Sequence, residues 1–325
     1  MSTSHHPSPD LIPEEMRNAL AKFGEEAEQI LTSFAISLES YQPRPIIYHY
    51  TDDVGLRGIL ESGRLWLTDI FSLNDPSELK HGLSLAVRIL NEKAANGPEE
   101  SKLFARDFGS LNEAIRRSAH YFVCSLSERG DDLGQWRAYA DNGRGYALGF
   151  DAKALEDAFA KNGKTPTSDR AVFPVTYQDA TLGDIHRRII EKMFDLISLP
   201  RGKKLHPDAI MQYVLQLSVS LAAHALHGGL FFKHEAYSNE KEYRFLEIHR
   251  ADVVPDVKLR SRPYSLVRCR EFDWKGTATT TPLKKIVFGP AANQEAALRF
   301  AEDCLRQFVL GKVEVIASAI PYRTL

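Results

Sequence analysis

The chain has 325 residues, 43% of them hydrophobic, enough to bury a full core. Lys and Arg number 41 against 43 Asp and Glu, a formal net charge of −2, so the global field does not select nucleic acid, although a local basic patch stays open. The three cysteines (Cys124, Cys269, Cys304) lie far apart without metal or redox spacing. No apolar run approaches the roughly 18 residues of a membrane span, and "MSTSHHPSPDLIPEE" lacks the layout of a signal peptide. A cytoplasmic protein without a membrane segment is expected.

Residues 1–12 are rich in Ser, His and Pro and read as a flexible N-terminus. Over 13–40, Met16, Leu20, Phe23, Ala27, Ile30, Leu31 and Phe34 recur at helical spacing behind Pro13. They predict an amphipathic helix that docks on the main domain or mediates homo-oligomerisation. "RPIIYHYT" reads as the first core strand. "VGLRGILESG" reads as a helix with Leu56, Ile59 and Leu60 as its stripe and Gly63 at its C-terminal cap. "RLWLTD" is a second strand, and "NDPSELKHGLSLAVRIL" a turn followed by a helix. "HYFVCSLSE" is a buried strand, "DDLGQWRAYAD" a short helix capped by Asp131 and Asp132, and "RGYALGFD" and "AVFPVTYQD" further strands. Two helices are predicted within about 180–228. Strands follow at "NEKEYRFLEI", "YSLVRCREFD", "LKKIVFGP" and "KVEVIA", with a helix near "NQEAALRFAEDCLRQF". Strands and helices mix without strict alternation, which implies an α+β fold rather than a doubly wound parallel sheet.

Five stretches carry residues with chemical potential, and each has a plain structural reading beside the functional one. His49, flanked by Tyr48 and Tyr50 and two residues before Thr51, is suited to hold a ribose hydroxyl at a sheet edge, or is a strand histidine bonded to nearby backbone. In "SNEKEYRF", Glu240 and Glu242 would share one strand face and divide orienting and acting roles, or form part of a solvated charged edge. Ser125 and Ser127 would share a face from which hydroxyls can position a carboxylate or a ribose. Trp136 and Tyr139 lie one helical turn apart, fit to stack on a planar ring or to pack in the core. "LNDPSELKH" gathers Asn74, Asp75 and Glu78 around a proline turn, an acceptor loop or ordinary turn chemistry. Pairs such as Glu78 with His81, or His224 with His227, lack a third ligand, so no metal is expected.

Taken together, "YHYTD…GILESGRLWLTD…NDPSE", "SLSE…DDLGQWRAYADNGRGYALGFD", "FKHEAYSNEKEYRF" and "KKIVFGP" resemble the bacterial domain of unknown function family 2971 over roughly residues 46–323. The opening His-x-Thr strand, the Ser-x-Ser strand and the Glu-x-Glu strand also resemble, in the same order, the motifs of the ADP-ribosyltransferase superfamily. That resemblance implies a mixed, split β-sheet with added helices. It further implies a single domain over 46–323 carrying a helical insertion at about 180–228, with NAD as substrate in a central cleft. By position, His49 would bind the adenine-side ribose, Thr51 would line the nicotinamide end, and Ser125, beside Ser127, would support the acid. Glu242 would hold the nicotinamide ribose and stabilise an oxocarbenium-like transition state, Glu240 would activate the acceptor, and Tyr139 or Trp136 would stack on nicotinamide.

The expected activity is therefore transfer of ADP-ribose from NAD to a protein or nucleic-acid acceptor, or NAD hydrolysis, in the manner of a toxin or phage-defence effector. Two alternatives stand beside it: a non-catalytic ligand-sensing or protein-interaction module, and a metal-dependent nuclease or hydrolase built on Asp75, Glu78 and His81.

Overall fold

The computed structural model describes residues 11–39, 41–73, 77–108, 119–161, 168–250, 253–262, 264–275, 281–309 and 311–322. In chain order the helices are α1 (Glu14–Glu39), α2 (Asp53–Ser62), α3 (Ser77–Ala95), α4 (Glu99–Phe108), α5 (Leu133–Tyr139), α6 (Ala152–Lys161), α7 (Asp179–Phe194), α8 (Pro207–Gly229) and α9 (Gln294–Phe308). The strands are β1 (Ile46–Thr51), β2 (Arg64–Asp69), β3 (Ala119–Ser127), β4 (Tyr146–Asp151), β5 (Ser168–Pro174), β6 (Glu242–Arg250), β7 (Lys258–Arg262), β8 (Ser265–Asp273), β9 (Leu283–Phe288) and β10 (Glu314–Ala317).

Two compact units share the chain. One comprises Met1–Glu39, Asp75–Ala119 and Thr176–Glu235; the other comprises Ser40–Asn74, His120–Val175 and Ala236–Leu325. The helices expected as an insertion at about 180–228 thus belong to a unit of their own, together with α1, α3 and α4.

In this helical unit α1 buries Met16, Phe23, Ala27, Ile30 and Leu31 against α7 and α8. The stripe read as a self-association surface is consumed inside the protomer, because helical periodicity reports that a face is buried but not what buries it. Phe34 stacks on Phe232 with ring centroids 5.3 Å apart. Helix α8 is, by length and composition, apolar enough to cross a membrane, which the search for an uninterrupted apolar run overlooked. Here its Tyr213, Leu217, Leu221, Ala225 and Leu226 are core residues of the helical unit.

The other unit is built on a sheet of order β10-β9-β4-β1-β3-β2-β8-β7, with β6 pairing β3 and β5. β9 and β10 run parallel, whereas β1 and β4, β4 and β9, β2 and β8, β7 and β8, and β5 and β6 run antiparallel. The sheet is mixed and the class is α+β, as expected. β3 is the hub: Tyr48 of β1 pairs with Ser127, whereas Thr68 and Asp69 of β2 pair with Val123 and Phe122. Residues 124–126 lie between those two pairings.

One face of the sheet carries Ile47, Leu65, Leu67, Phe122, Leu126, Leu148, Phe150, Phe245 and Phe272, covered by Leu56 and Leu60 of α2, Leu155 and Phe159 of α6, and Ala297 and Ala301 of α9. Each large side chain fully withdrawn from water there contributes roughly 1.5–3 kcal/mol. Helix α2 begins on Asp52, whose carboxylate accepts from Gly55 N at 2.7 Å, and ends on Gly63 at φ +67°, the left-handed cap its sequence announces. Helices α4 and α6 and strand β7 were not anticipated. Strand β7, "KLRSR", has too few apolar residues to register as a strand.

Candidate functional site

The polar centre of the sheet unit lies where β3 and β6 meet. Ser125 is the exposed residue in an otherwise buried stretch of β3, and its hydroxyl donates to Glu242 Oε1 at 2.5 Å. Glu242 opens β6 and is buried, as is Arg244 two residues on, so strand alternation puts both on one face. Arg244 Nε and Nη2 each lie 2.7 Å from the same Glu242 oxygen. Sequence reasoning missed Arg244, although the period-two argument applied to Glu240 and Glu242 finds it in "EYRF".

Glu240 and Glu242 do not share a strand face, contrary to that argument. Glu240 ends a short 3-10 segment (Glu235–Glu240), Lys241 sits at φ +44°, and β6 begins only at Glu242. The left-handed residue rotates the chain between the two carboxylates. Ser127 is spent on this turn: its hydroxyl donates to Glu240 O at 2.6 Å and accepts from Arg129 N at 3.0 Å, while Glu128 N donates to Lys241 O. The hydroxyl of Tyr139 donates to Glu240 Oε1 at 3.4 Å, and its ring is 41% exposed. Ser125, Ser127, Tyr139, Glu240 and Glu242 are therefore gathered in one neighbourhood, as the sequence suggested.

Trp136 is not part of a stacking surface. It is 0% exposed, its ring meets Tyr50 edge-on at 4.8 Å, and its indole N–H donates to Asp131 Oδ1 at 2.7 Å. Asp131 in turn accepts from Ser318 Oγ and Ala319 N, and Asp132 alone caps α5. Tyr139, one turn on, is the aromatic of this helix with an open face.

His49, on β1 opposite Leu148, reaches the backbone of Ser125. Burial pulls its pKa down to about 4, a pull that the Ser125 bond opposes and the charge of Arg260 reinforces, so the ring is neutral near pH 7. Its Nδ1 is buried without a hydrogen-bond partner. Thr51, at the end of β1, is placed differently from its expected role. Its Oγ1 lies 1.9 Å from where a Cβ on Gly55 would stand, so it packs on the first turn of α2. Its carbonyl oxygen lies 2.2 Å from where a Cβ on Gly145 would stand, a backbone approach that only glycine permits.

Two polar features lie apart from this cluster. Glu247 of β6 is buried and bound by Arg170 Nη2 at 2.5 Å, by Arg270, and by His249 Nε2 at 2.5 Å. Burial alone would raise its pKa, but these three partners hold it below the usual carboxylate value. A cavity of about 390 Å³ is lined by Asp53, Asp141, Arg144, Tyr146, Asn293 and Phe300 among others, near the starts of α2 and α9. None of His49, Ser125, Glu240 and Glu242 lines it, and we take the hydrogen-bonded geometry rather than the cavity as the mark of the site.

Asn74 and Asp75 lie outside the described residues, as do the side chains of Glu78 and His81 within α3. Among the described residues no group of three or more His, Cys, Asp or Glu is arranged to hold a metal ion. His224 is bound to Ser220 O at 2.7 Å, and His227 stacks on Phe231.

No curated protein and no solved structure matches the chain. Residues 135–245 match the model of a family described as protein of unknown function (DUF2971), a segment that runs from α5 into β6 and contains Tyr139, Glu240, Glu242 and Arg244.

Proposed function

We propose that this chain is an NAD-consuming enzyme of ADP-ribosyltransferase type, passing ADP-ribose to a protein or nucleic-acid acceptor or to water. The observation that carries the reading is the junction of three strands, where His49 from β1, Ser125 from β3 and Glu242 from β6 meet. The Ser125 hydroxyl donates to the Glu242 carboxylate at 2.5 Å. The meeting of β1 and β2 at different points along β3 suits the split sheet of such enzymes.

In this mechanism Glu242 accepts a hydrogen bond from the nicotinamide ribose, and its charge stabilises the cationic sugar as the glycosidic C–N bond breaks. Nicotinamide leaves with the bonding electron pair. The acceptor's nucleophile then bonds to the anomeric carbon and gives its proton to Glu240. Ser125 is a positioning residue that fixes the carboxylate. Tyr139 offers its open ring to nicotinamide, and neutral His49 offers Nδ1 to a ribose hydroxyl.

One observation favours a second reading, a ligand-sensing or interaction module without turnover: the Glu242 carboxylate is already engaged by Arg244 and Ser125. The test is NAD titration with assay of nicotinamide release, with and without chelator, for the wild type, His49→Ala and Glu242→Gln. The transferase reading expects binding lost in His49→Ala, release lost in Glu242→Gln, and indifference to chelator. Binding without release supports the sensing module. Release abolished by chelator supports a metal-dependent hydrolase. No binding by a folded wild type refutes the NAD reading.

A further inference from the structure

Arg260, on β7, has a buried Nε without a hydrogen-bond partner, and so does His49 at Nδ1. The charge of Arg260 bears on the His49 ring, which places both side chains around one space. A guanidinium has only donors and stays charged, so a buried N–H of this group needs an acceptor. Glu271 on β8 is not that acceptor, because it is taken by Arg64 Nη1 at 3.0 Å, Trp66 Nε1 at 2.9 Å and Lys258 Nζ at 2.7 Å. Among the described residues no ion pair engages Arg260. What holds it is Trp66, the guanidinium carbon lying 5.1 Å from the ring centroid. Stacking fixes the plane of the fork and leaves its N–H edge unspent.

His49 supplies the complementary half. Its bond to the Ser125 backbone favours the protonated ring, as a carbonyl acceptor does, and Nδ1 is the nitrogen without a partner. In the neutral ring Nε2 therefore carries the hydrogen and Nδ1 is an acceptor. A cationic donor beside a neutral acceptor matches a phosphorylated sugar, with phosphoryl oxygen on one and hydroxyl on the other.

We infer that Arg260 is the anion-binding residue of this site, donating to a phosphoryl oxygen of a nucleotide-type ligand whose sugar hydroxyl donates to Nδ1 of His49. The identification of the phosphoryl group as part of NAD rests on the transferase reading; the need of Arg260 for an anion does not. The test is calorimetric titration of ADP and of adenosine into the wild type, Arg260→Met and Arg260→Lys, with melting temperatures for all three.

ADP should bind Arg260→Met about tenfold more weakly or worse, the loss of a hydrogen bond to a charged group, with Arg260→Lys between. Adenosine affinity should hardly change. The melting temperature of Arg260→Met should stay level or rise, because methionine keeps the apolar contact with Trp66 and removes an unpaired buried charge. Equal ADP affinity in the wild type and Arg260→Met, no ADP binding by the wild type, or an equal loss in Lys and Met variants accompanied by a lower melting temperature would each overturn it. Binding of ADP that depends on Arg260 without nicotinamide release from NAD sinks the transferase reading and leaves this one standing. Undiminished release from NAD by Arg260→Met does the reverse.

Discussion

Glu242→Gln tests the structural and the chemical role of the same carboxylate at once. The side chains of Glu242 and Arg244 are only 4% and 2% exposed, and both guanidinium contacts are 2.7 Å. Glutamine keeps a carbonyl oxygen for Arg244 but removes the charge that balances it. Breaking a buried pair from one side costs about 3–5 kcal/mol, and the retained acceptor places this substitution near ~3 kcal/mol. Arg244→Met should cost a similar amount, because it strands the carboxylate instead. The double variant Glu242→Gln/Arg244→Met removes both charges and should recover most of the loss, a coupling of about 2 kcal/mol or more in the cycle. Trp66, Trp136 and Trp274 all belong to the sheet unit, so urea unfolding followed by intrinsic fluorescence reports on that unit. Nicotinamide release should not return in the double variant. Additive stability losses would refute the ion-pair reasoning, and a double variant that consumes NAD would remove Glu242 from the mechanism.

Ser125→Ala should cost ~1 kcal/mol in the same unfolding assay. Its effect on NAD turnover should be larger, on the order of tenfold or more, because the variant loses the group that aims the Glu242 carboxylate; a steady-state assay in which turnover is unchanged would refute the positioning role. His186, in the helical unit, is buried with Nε2 unpartnered, and burial lowers its pKa from 6.5 to about 4 against an opposing bond to the Gly82 backbone. The native state thus stays neutral while the unfolded chain takes up a proton, so stability present above about pH 6.5 is lost as pH falls toward about 4. Between those limits the wild type should lose ~3 kcal/mol more than His186→Leu, measured by circular dichroism against urea, and parallel pH profiles would contradict it.

Much of the sheet unit was legible because its signals are local. Asp52, Gly63 and the leucine stripe between them bound α2 by rules that hold within one helix. "RLWLTD" alternates buried and outward residues as a half-buried strand must. The grouping of Ser125 with Glu242 was legible too, though only as an order of motifs, since 117 residues separate them and no local rule pairs them. Other errors share one cause, which is that a side chain's environment is set by elements remote in sequence. Trp136 and Tyr139 have the same helical spacing relation to their neighbours, yet the aspartate under Trp136 and the chain near Ser318 close over one and not the other. Arg260 escaped notice because the strand bearing it is half cationic, and its stacking partner Trp66 lies 194 positions earlier in the numbered chain.

The turn at Lys241 explains how one short acidic run can serve two chemical roles. A continuous strand would have put Glu240 and Glu242 side by side, where like charges raise each other's pKa and neither can be specialised. Lys241 instead occupies φ +44°, a conformation that costs a non-glycine residue roughly 1–2 kcal/mol. The end of β3 holds it there through Glu128 N on Lys241 O and Ser127 Oγ on Glu240 O. Glu242 is thereby turned inward, onto Arg244 and under Ser125, while Glu240 stays partly exposed beside the Tyr139 hydroxyl. A fixed buried charge suits stabilisation of a cationic sugar, and a wetter carboxylate suits exchange of a proton with an incoming acceptor. Backbone strain at one residue, anchored by a serine two positions after the one that touches the acid, is what separates the two.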